Sequence, residues 1–413
     1  MNADTIIREL FSPAGRANPY PHYTALHALG GAASVTPGVA GPFGAVVHGY
    51  DAVDQVLRDP GFLVSDSRHQ DLGSTTWREH PTLTTLMTTM MFTNAPDHGR
   101  MRKLFHQVLT VRRVNALAPM IARIVDALMD RMAATAADGG EVDFISQFAY
   151  LMPTSVVGGL LGIPDADLDW FRPRVQQIVD YLDQTAKSPE VLLATDAVTR
   201  EILDYYRGMI ADRRARPRED FVSTLVQVLD SEHHQLSEDE VVANLVLMFN
   251  AGFVTTINML GNGLPILLER PSLAEGICGD PELLTDAVDE IIRYDASLQY
   301  ISRWVADDRE IAGVRVPARS MVLVLLGAAN RDPGRYRDPD LFDATRPRLQ
   351  SLSFGAGPHY CLGAALSRLE GQLAFPMLLR RFPDLAIGAA ERNDQLLLRG
   401  YRRLPVDLGE VKA

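Results

Sequence analysis

Cysteine is nearly missing from this chain: there are two thiols in 413 residues. Cys278 and Cys361 are too few for a disulfide framework or a four-thiolate metal cage, and they fit a reducing compartment. Long apolar runs are missing too. The most apolar stretch, Val241 to Val254, is interrupted by Asn244 and Asn250 and falls short of the ~20 residues that cross a bilayer. Ser/Gly linkers, low-complexity tracts and repeats are not found, so residues 1–413 are expected to form a single domain, although length alone suggests about two or three. Cations are in deficit, 40 Lys and Arg against 52 Asp and Glu for a formal charge of −12, which argues against bulk binding to nucleic acid. The start, Met1 to Ala17, mixes Asp4, Arg8, Glu9 and Arg16 with apolar residues and carries no signal-peptide or anchor pattern. These features together predict a monomeric cytoplasmic protein with no membrane and no nucleic-acid partner.

What is present is helical periodicity. Val114 to Ala134 and Val191 to Arg213 place apolar residues at three- and four-residue steps. Ser237 to Leu268 reads as one unusually long helix, with Ser237-x-x-Glu240 as a capping box and Pro271 just beyond its end. Strand signals are short, at Gly44 to His48 and across Arg309 to Val324. Ser65 to Thr89 lacks periodicity and reads as a long loop of the kind that often forms a lid. Arg331 to Pro347 reads as a second irregular region. The expected fold class is mainly α, with small β-sheets to one side.

One cysteine stands in a distinctive run, Phe354-Gly355-Ala356-Gly357-Pro358-His359-Tyr360-Cys361-Leu362-Gly363. It lies just before an apolar, helix-forming stretch, Ala364 to Leu379. Backbone amides at a helix start favour thiolate over thiol, and glycines let backbone approach something flat and bulky. Such a thiolate suits an axial position of a haem iron. Cys278 has no comparable surroundings.

The run strongly resembles the haem-binding signature of the cytochrome P-450 family, Phe-Gly-x-Gly-x-His-x-Cys-x-Gly, and meets every fixed position. That resemblance implies haem b (iron protoporphyrin IX) with Cys361 as the thiolate ligand, set between the long helix and the cysteine loop. Phe354, Gly355, His359 and Gly363 are then cofactor contacts. His98 and Arg102, four apart in Asn94 to Arg102, resemble the family's propionate-binding helix, and Arg303 matches a further propionate cation. Glu290 and Arg293 resemble the Glu-x-x-Arg motif, with Arg346 as third member of that structural ion network. Ser351 stands where the family often has His.

In the long helix, Ala251-Gly252-Phe253-Val254-Thr255-Thr256 aligns with the family's oxygen-activating pattern. Ala251 and Gly252 would pass over the haem face, and Thr255 would supply a catalytic hydroxyl. The acid expected before that Thr is replaced by Val254. Proton delivery through Asn258, through the substrate itself, or a reaction needing fewer protons all stay open.

The resemblance therefore implies a haem-thiolate monooxygenase that hydroxylates or epoxidises a medium-to-large, mainly apolar molecule, such as a polyketide or other natural-product intermediate. It would use O2 and electrons passed from NAD(P)H through a ferredoxin reductase and a ferredoxin, with Arg100, Lys103, Arg112 and Arg113 as a basic docking face. Met87, Met90, Phe253, Val254, Leu298 and Leu397 are expected to line the substrate pocket, with the region Phe171 to Thr185 nearby. Rival readings are an atypical outcome (oxidative coupling, desaturation or peroxide-driven chemistry), motivated by Val254, and a non-catalytic haem sensor or carrier.

Overall fold

The apolar stretch around Val241 forms one helix, Glu238–Leu268, of 31 residues. Its start is a reciprocal capping box: Ser237 Oγ accepts from the Glu240 amide at 3.2 Å, and Glu240 Oε2 accepts from the Ser237 amide at 2.7 Å. Two orphan donors of the first turn are thereby satisfied. Among the described residues it is the one helix long and apolar enough to cross a membrane, and 61% of its most apolar window is buried inside the protein.

The computed structural model describes residues 1–39, 41–183, 188–230 and 236–409. It is mainly helical, with four small sheets among those residues. The Cα trace divides into two compact units. The first comprises Met1–Leu63, Ala118–Leu151 and Thr255–Ala413; the second comprises Val64–Leu117 and Met152–Val254. The division falls inside the long helix, between Val254 and Thr255.

All the described sheets lie in the first unit. The largest has the order Ala32–Ser34, Phe43–Val47, Met321–Val324, Ile301–Val305, Phe62–Leu63. Phe43–Val47 runs parallel to Met321–Val324, and the other neighbours are antiparallel. Val47, Val305, Val322 and Val324 are buried in the core on this sheet, as β-branched residues on a half-buried pleat should be. The register opposes Arg303 to Val322 and so fixes that arginine in a central strand.

The helix Ala364–Arg381 follows the cysteine loop and packs on Ala118–Ala137, Pro271–Gly279 and Pro281–Tyr294. Gly263 of the long helix belongs to this region: a Cβ there would lie 2.5 Å from Phe375 Cζ and 3.1 Å from Ile291 Cγ2. The second unit centres on an aromatic cluster of Phe171, Tyr205, Tyr206, Phe249 and Phe253, with Phe171 and Phe249 centroids 4.7 Å apart.

Two sequence expectations are corrected. Val114 to Ala134 is not one helix but Val111–Asn115 followed by Ala118–Ala137. The stretch 65–89 is not an irregular loop: it holds short helices at Ser67–Asp71 and Pro81–Thr88 and a 3₁₀ turn at Thr76–Glu79. Local capping explains them, since Asp66 accepts from the His69 amide and Pro81 occupies the first helical position, neither of which needs apolar periodicity.

Gly263→Ala is expected to lose about 1 kcal/mol in thermal unfolding. Overpacking of up to about 3 kcal/mol is partly offset by about 1 kcal/mol of helix propensity.

Candidate functional site

The cysteine loop is shaped by backbone bonds and two left-handed glycines. The Cys361 amide donates to Phe354 O at 2.8 Å, the Gly355 amide to Leu352 O at 2.9 Å, and the Tyr360 amide to Gly357 O at 3.1 Å. Gly355 and Gly357 have φ of 69° and 65°, a region costly for other residues. At Gly357 a side chain is excluded twice, because a Cβ would also meet Leu57 O at 2.6 Å. Cys361 is exposed, and the helix Ala364–Arg381 begins three residues later, capped by Gly363. Cys278 differs: its Sγ–H points at Ala274 O at 3.3 Å, and burial pushes that thiol's pKa up.

Behind the loop lies a buried ion network. Glu290 accepts from Arg293 Nε and Nη2, both at 2.7 Å, and Arg346 Nε stands 3.5 Å from the same carboxylate. The Asp343 amide adds a bond at 3.0 Å. Arg293 Nη1 caps Asn330 O at 2.8 Å and Pro339 O at 3.0 Å, while Arg346 Nη2 caps Asp338 O and Leu341 O. The irregular segment 331–347 has no ladder partners, so these guanidinium groups satisfy its carbonyls. Asn330 carries the connection onward. Its side chain accepts from the Leu352 amide at 2.7 Å and donates to Ser353 Oγ at 2.7 Å, directly before Phe354. This use of Asn330 and Ser353 was invisible in the sequence.

Arg303 is 6% exposed. The hydrogen bond its guanidinium makes within the described residues is to Ser302 O at 2.9 Å, with no carboxylate partner among them, and burial pulls its pKa down to about 10. A buried cation without an anion is costly, so the residue is built for an anionic partner. His359 is half-buried in the 3₁₀ turn Gly357–His359 of the cysteine loop. An exposed thiol beside a helix start and an uncompensated buried cation fit a thiolate-ligated group bearing carboxylates.

Leu298 and Leu397 are brought together. The Gln299 amide donates to Leu397 O at 3.0 Å and the Arg399 amide to Ser297 O at 2.7 Å, around a bridge between Leu298 and Leu398. Both leucines stay partly exposed. The segment is anchored by buried Asp295, which burial alone would make a weak acid but Arg392 and Arg399 hold below its usual pKa. Thr255 is partly exposed, whereas Thr256 is buried and donates to Glu370 Oε2 at 3.2 Å.

In the second unit, His98 and Arg102 share a face of the helix Asp97–Val108. His98 is buried, and desolvation followed by the charge of Arg102 pulls its pKa down to about 4. Arg100, expected in a basic docking face, instead makes a bidentate pair with Glu240 at 3.0 and 2.5 Å. The long helix leaves a stripe uncovered through Leu247, Met248, Ala251, Gly252 and Val254, while Phe249, Asn250 and Phe253 are buried. Gly252 owes its identity to packing, since a Cβ there would lie 2.9 Å from Val157 Cγ2. Phe253, expected in the pocket lining, sits 1% exposed in the aromatic cluster, on the opposite side of the helix from that stripe. Met87 is partly exposed, and Met90 is buried with its amide on Asn244 Oδ1 at 2.9 Å. Of the region 171–185, residues 184 and 185 lie outside the described residues.

A family model described as cytochrome P-450 matches residues 44–278 and 280–390. The chain is a cytochrome P-450. It is 36% identical to the 6-deoxyerythronolide B hydroxylase of Saccharopolyspora erythraea over 78% of each chain. It is 35% identical to the vitamin D(3) 25-hydroxylase of Pseudonocardia autotrophica over 98% of this chain and 97% of that one. Among solved structures, the P-450 BioI in complex with hexadec-9Z-enoic acid ligated to acyl carrier protein is similar, with a TM-score of 0.87. It is 30% identical, and the match covers 96% of this chain and 99% of that one. The protein is thus an oxidoreductase of the monooxygenase class, and its family implies a haem held by a cysteine thiolate.

In this P-450, replacing Glu290 leaves Arg293 buried without its anion. Glu290→Gln should cost about 3–5 kcal/mol, the usual range for breaking a buried pair, and denaturant unfolding measures it.

Proposed function

We propose that this P-450 hydroxylates a medium-to-large, mainly apolar polyketide-type molecule, a macrolactone for preference. It would take electrons from NAD(P)H through a ferredoxin and its reductase. The observation that carries the substrate class is the 36% identity to 6-deoxyerythronolide B hydroxylase, spread over 78% of each chain. The uncovered, mainly apolar side chains of Met87, Val254, Leu298 and Leu397 agree with such a ligand. Residues 1–413 are taken as one cooperative domain, because a single unbroken helix supplies residues to each compact unit.

Haem b, when bound, supplies the redox chemistry of oxygen activation. Cys361 is assigned as its thiolate ligand. Arg303, His359, Arg102 and His98 are assigned to its propionates, with His98 serving as a neutral hydrogen-bond donor because burial disfavours its charged form. Phe354, Gly355 and Gly363 hold the loop at the distance a flat macrocycle needs, and Ala251 and Gly252 keep the opposite helix face low. Thr255 presents a hydroxyl at that face to position protons. A second reading, oxidation without oxygen insertion, is favoured by Val254, which removes the acid usually placed beside that hydroxyl.

The reduced, carbon monoxide-bound protein should show the strongly red-shifted Soret band of a thiolate-ligated haem, and Cys361→Ser should lose it. Addition of 6-deoxyerythronolide B should shift the spin state, and turnover under labelled dioxygen should place label in the product. An unlabelled oxidised product would support the second reading instead.

A further inference from the structure

Val254 raises a question that the first unit answers. The helix Ala364–Arg381 carries a carboxyl group with no evident structural need to be acidic. Glu370 is 1% exposed. Its Oε2 accepts from Thr256 Oγ1 at 3.2 Å, and its Oε1 is buried with no partner among the described residues. Thr256 adjoins Thr255, at the turn of helix where the sequence lacks an acid.

No charge compensates Glu370. The helix Pro281–Tyr294 packed against it carries Asp286 and Asp289, which pair outward with Arg348 and Arg368, and the closed Glu290–Arg293 pair. Ala118–Ala137 carries Arg123, Asp126, Asp130 and Arg131, with Asp130 on Arg381, and Pro271–Gly279 carries Glu275 and Cys278. The charges of the long helix, Glu238, Asp239 and Glu240, lie in its first turn, far from Thr256. None of these acts on Glu370: burial pushes its pKa up, only partly opposed by the Thr256 hydrogen bond, to about 8. At neutral pH the group is a carboxylic acid.

We propose that Glu370, acting through the Thr256 hydroxyl, is the proton donor for the oxygen-activating face of the long helix, in place of the acid that Val254 lacks. Glu370 gives up its carboxyl proton as the Thr256 hydroxyl passes one on. The carboxylate left behind then takes a proton from solvent, so the relay returns to its starting state. A carboxyl held mainly to pin two helices would need neither its second oxygen unpartnered nor its proton retained. The inference rests on the monooxygenase chemistry of the family and not on the macrolactone substrate.

The test uses the haem-loaded enzyme and its Glu370→Gln and Thr256→Val variants, each first checked for the thiolate spectrum with carbon monoxide. Infrared spectroscopy should show a protonated carboxylic acid in the wild type that fades as pH rises through about 8, missing from Glu370→Gln and kept in Thr256→Val. Because the folded pKa exceeds the unfolded value of 4.5, wild-type stability should fall as pH rises from about 4.5 to about 8, a fall that Glu370→Gln does not share. With a surrogate ferredoxin and reductase and no added substrate, oxygen goes either to water or to peroxide. A positioned acid is worth about 10²–10⁴-fold, so both variants should slow water formation by about 10-fold or more and release peroxide instead. Adding Val254→Glu to Glu370→Gln should restore water formation. A wild type without the acid band, or a Glu370→Gln enzyme that forms water at the wild-type rate, overturns the proposal. Loss of the thiolate spectrum in the wild type would instead overturn the chemistry it rests on.

Discussion

The Glu290–Arg293 pair is the constraint on which the first unit depends. Desolvating two charges costs several kcal/mol each, and their attraction repays it only with good geometry and every remaining donor placed. Here the carboxylate receives two short bonds from Arg293 and one from a backbone amide, while the spare donors of Arg293 and Arg346 hold carbonyls between Asn330 and Leu341. A segment with no helix or strand of its own is made rigid by cations. Through Asn330 and Ser353 that rigidity reaches the residue before Phe354, and so the loop that presents Cys361.

The long helix divides its labour by face. Phe249 and Phe253 bury an aromatic side, Gly252 and Gly263 allow neighbouring side chains to come close, and Ala251, Val254 and Thr255 remain uncovered. Thr255 and Thr256, adjacent in sequence, point into different surroundings: one hydroxyl is partly exposed, the other is buried on a carboxyl.

The sequence made legible whatever depends on fixed spacing: the glycines around Cys361, the three-residue step from Glu290 to Arg293, and the length of the central helix with its Ser237 cap. It also separated Cys361 from Cys278 correctly in their surroundings. What it hid depends on contacts between distant segments. Phe253 reads as a pocket residue by position in a motif, yet its place is set by Phe171 and Phe249. Arg100 reads as a free surface cation until Glu240, 140 residues away, is brought to it. Glu370 carries no pattern at all, because burial of a single carboxyl leaves no periodic trace. The short helices between Ser67 and Thr88 were missed because caps, not apolar repeats, make them.

Arg303 sets a condition on the life of the chain outside turnover. A guanidinium held in a central strand, away from water and without a counter-ion, lowers the stability of the folded state for as long as its site lacks an anion. An anionic ligand that binds there and not to the unfolded chain shifts the folding equilibrium in proportion to the logarithm of its free concentration. The amount of folded protein in a cell is then tied to the supply of that ligand, and a shortage would be read out as degradation before it was read out as lost catalysis.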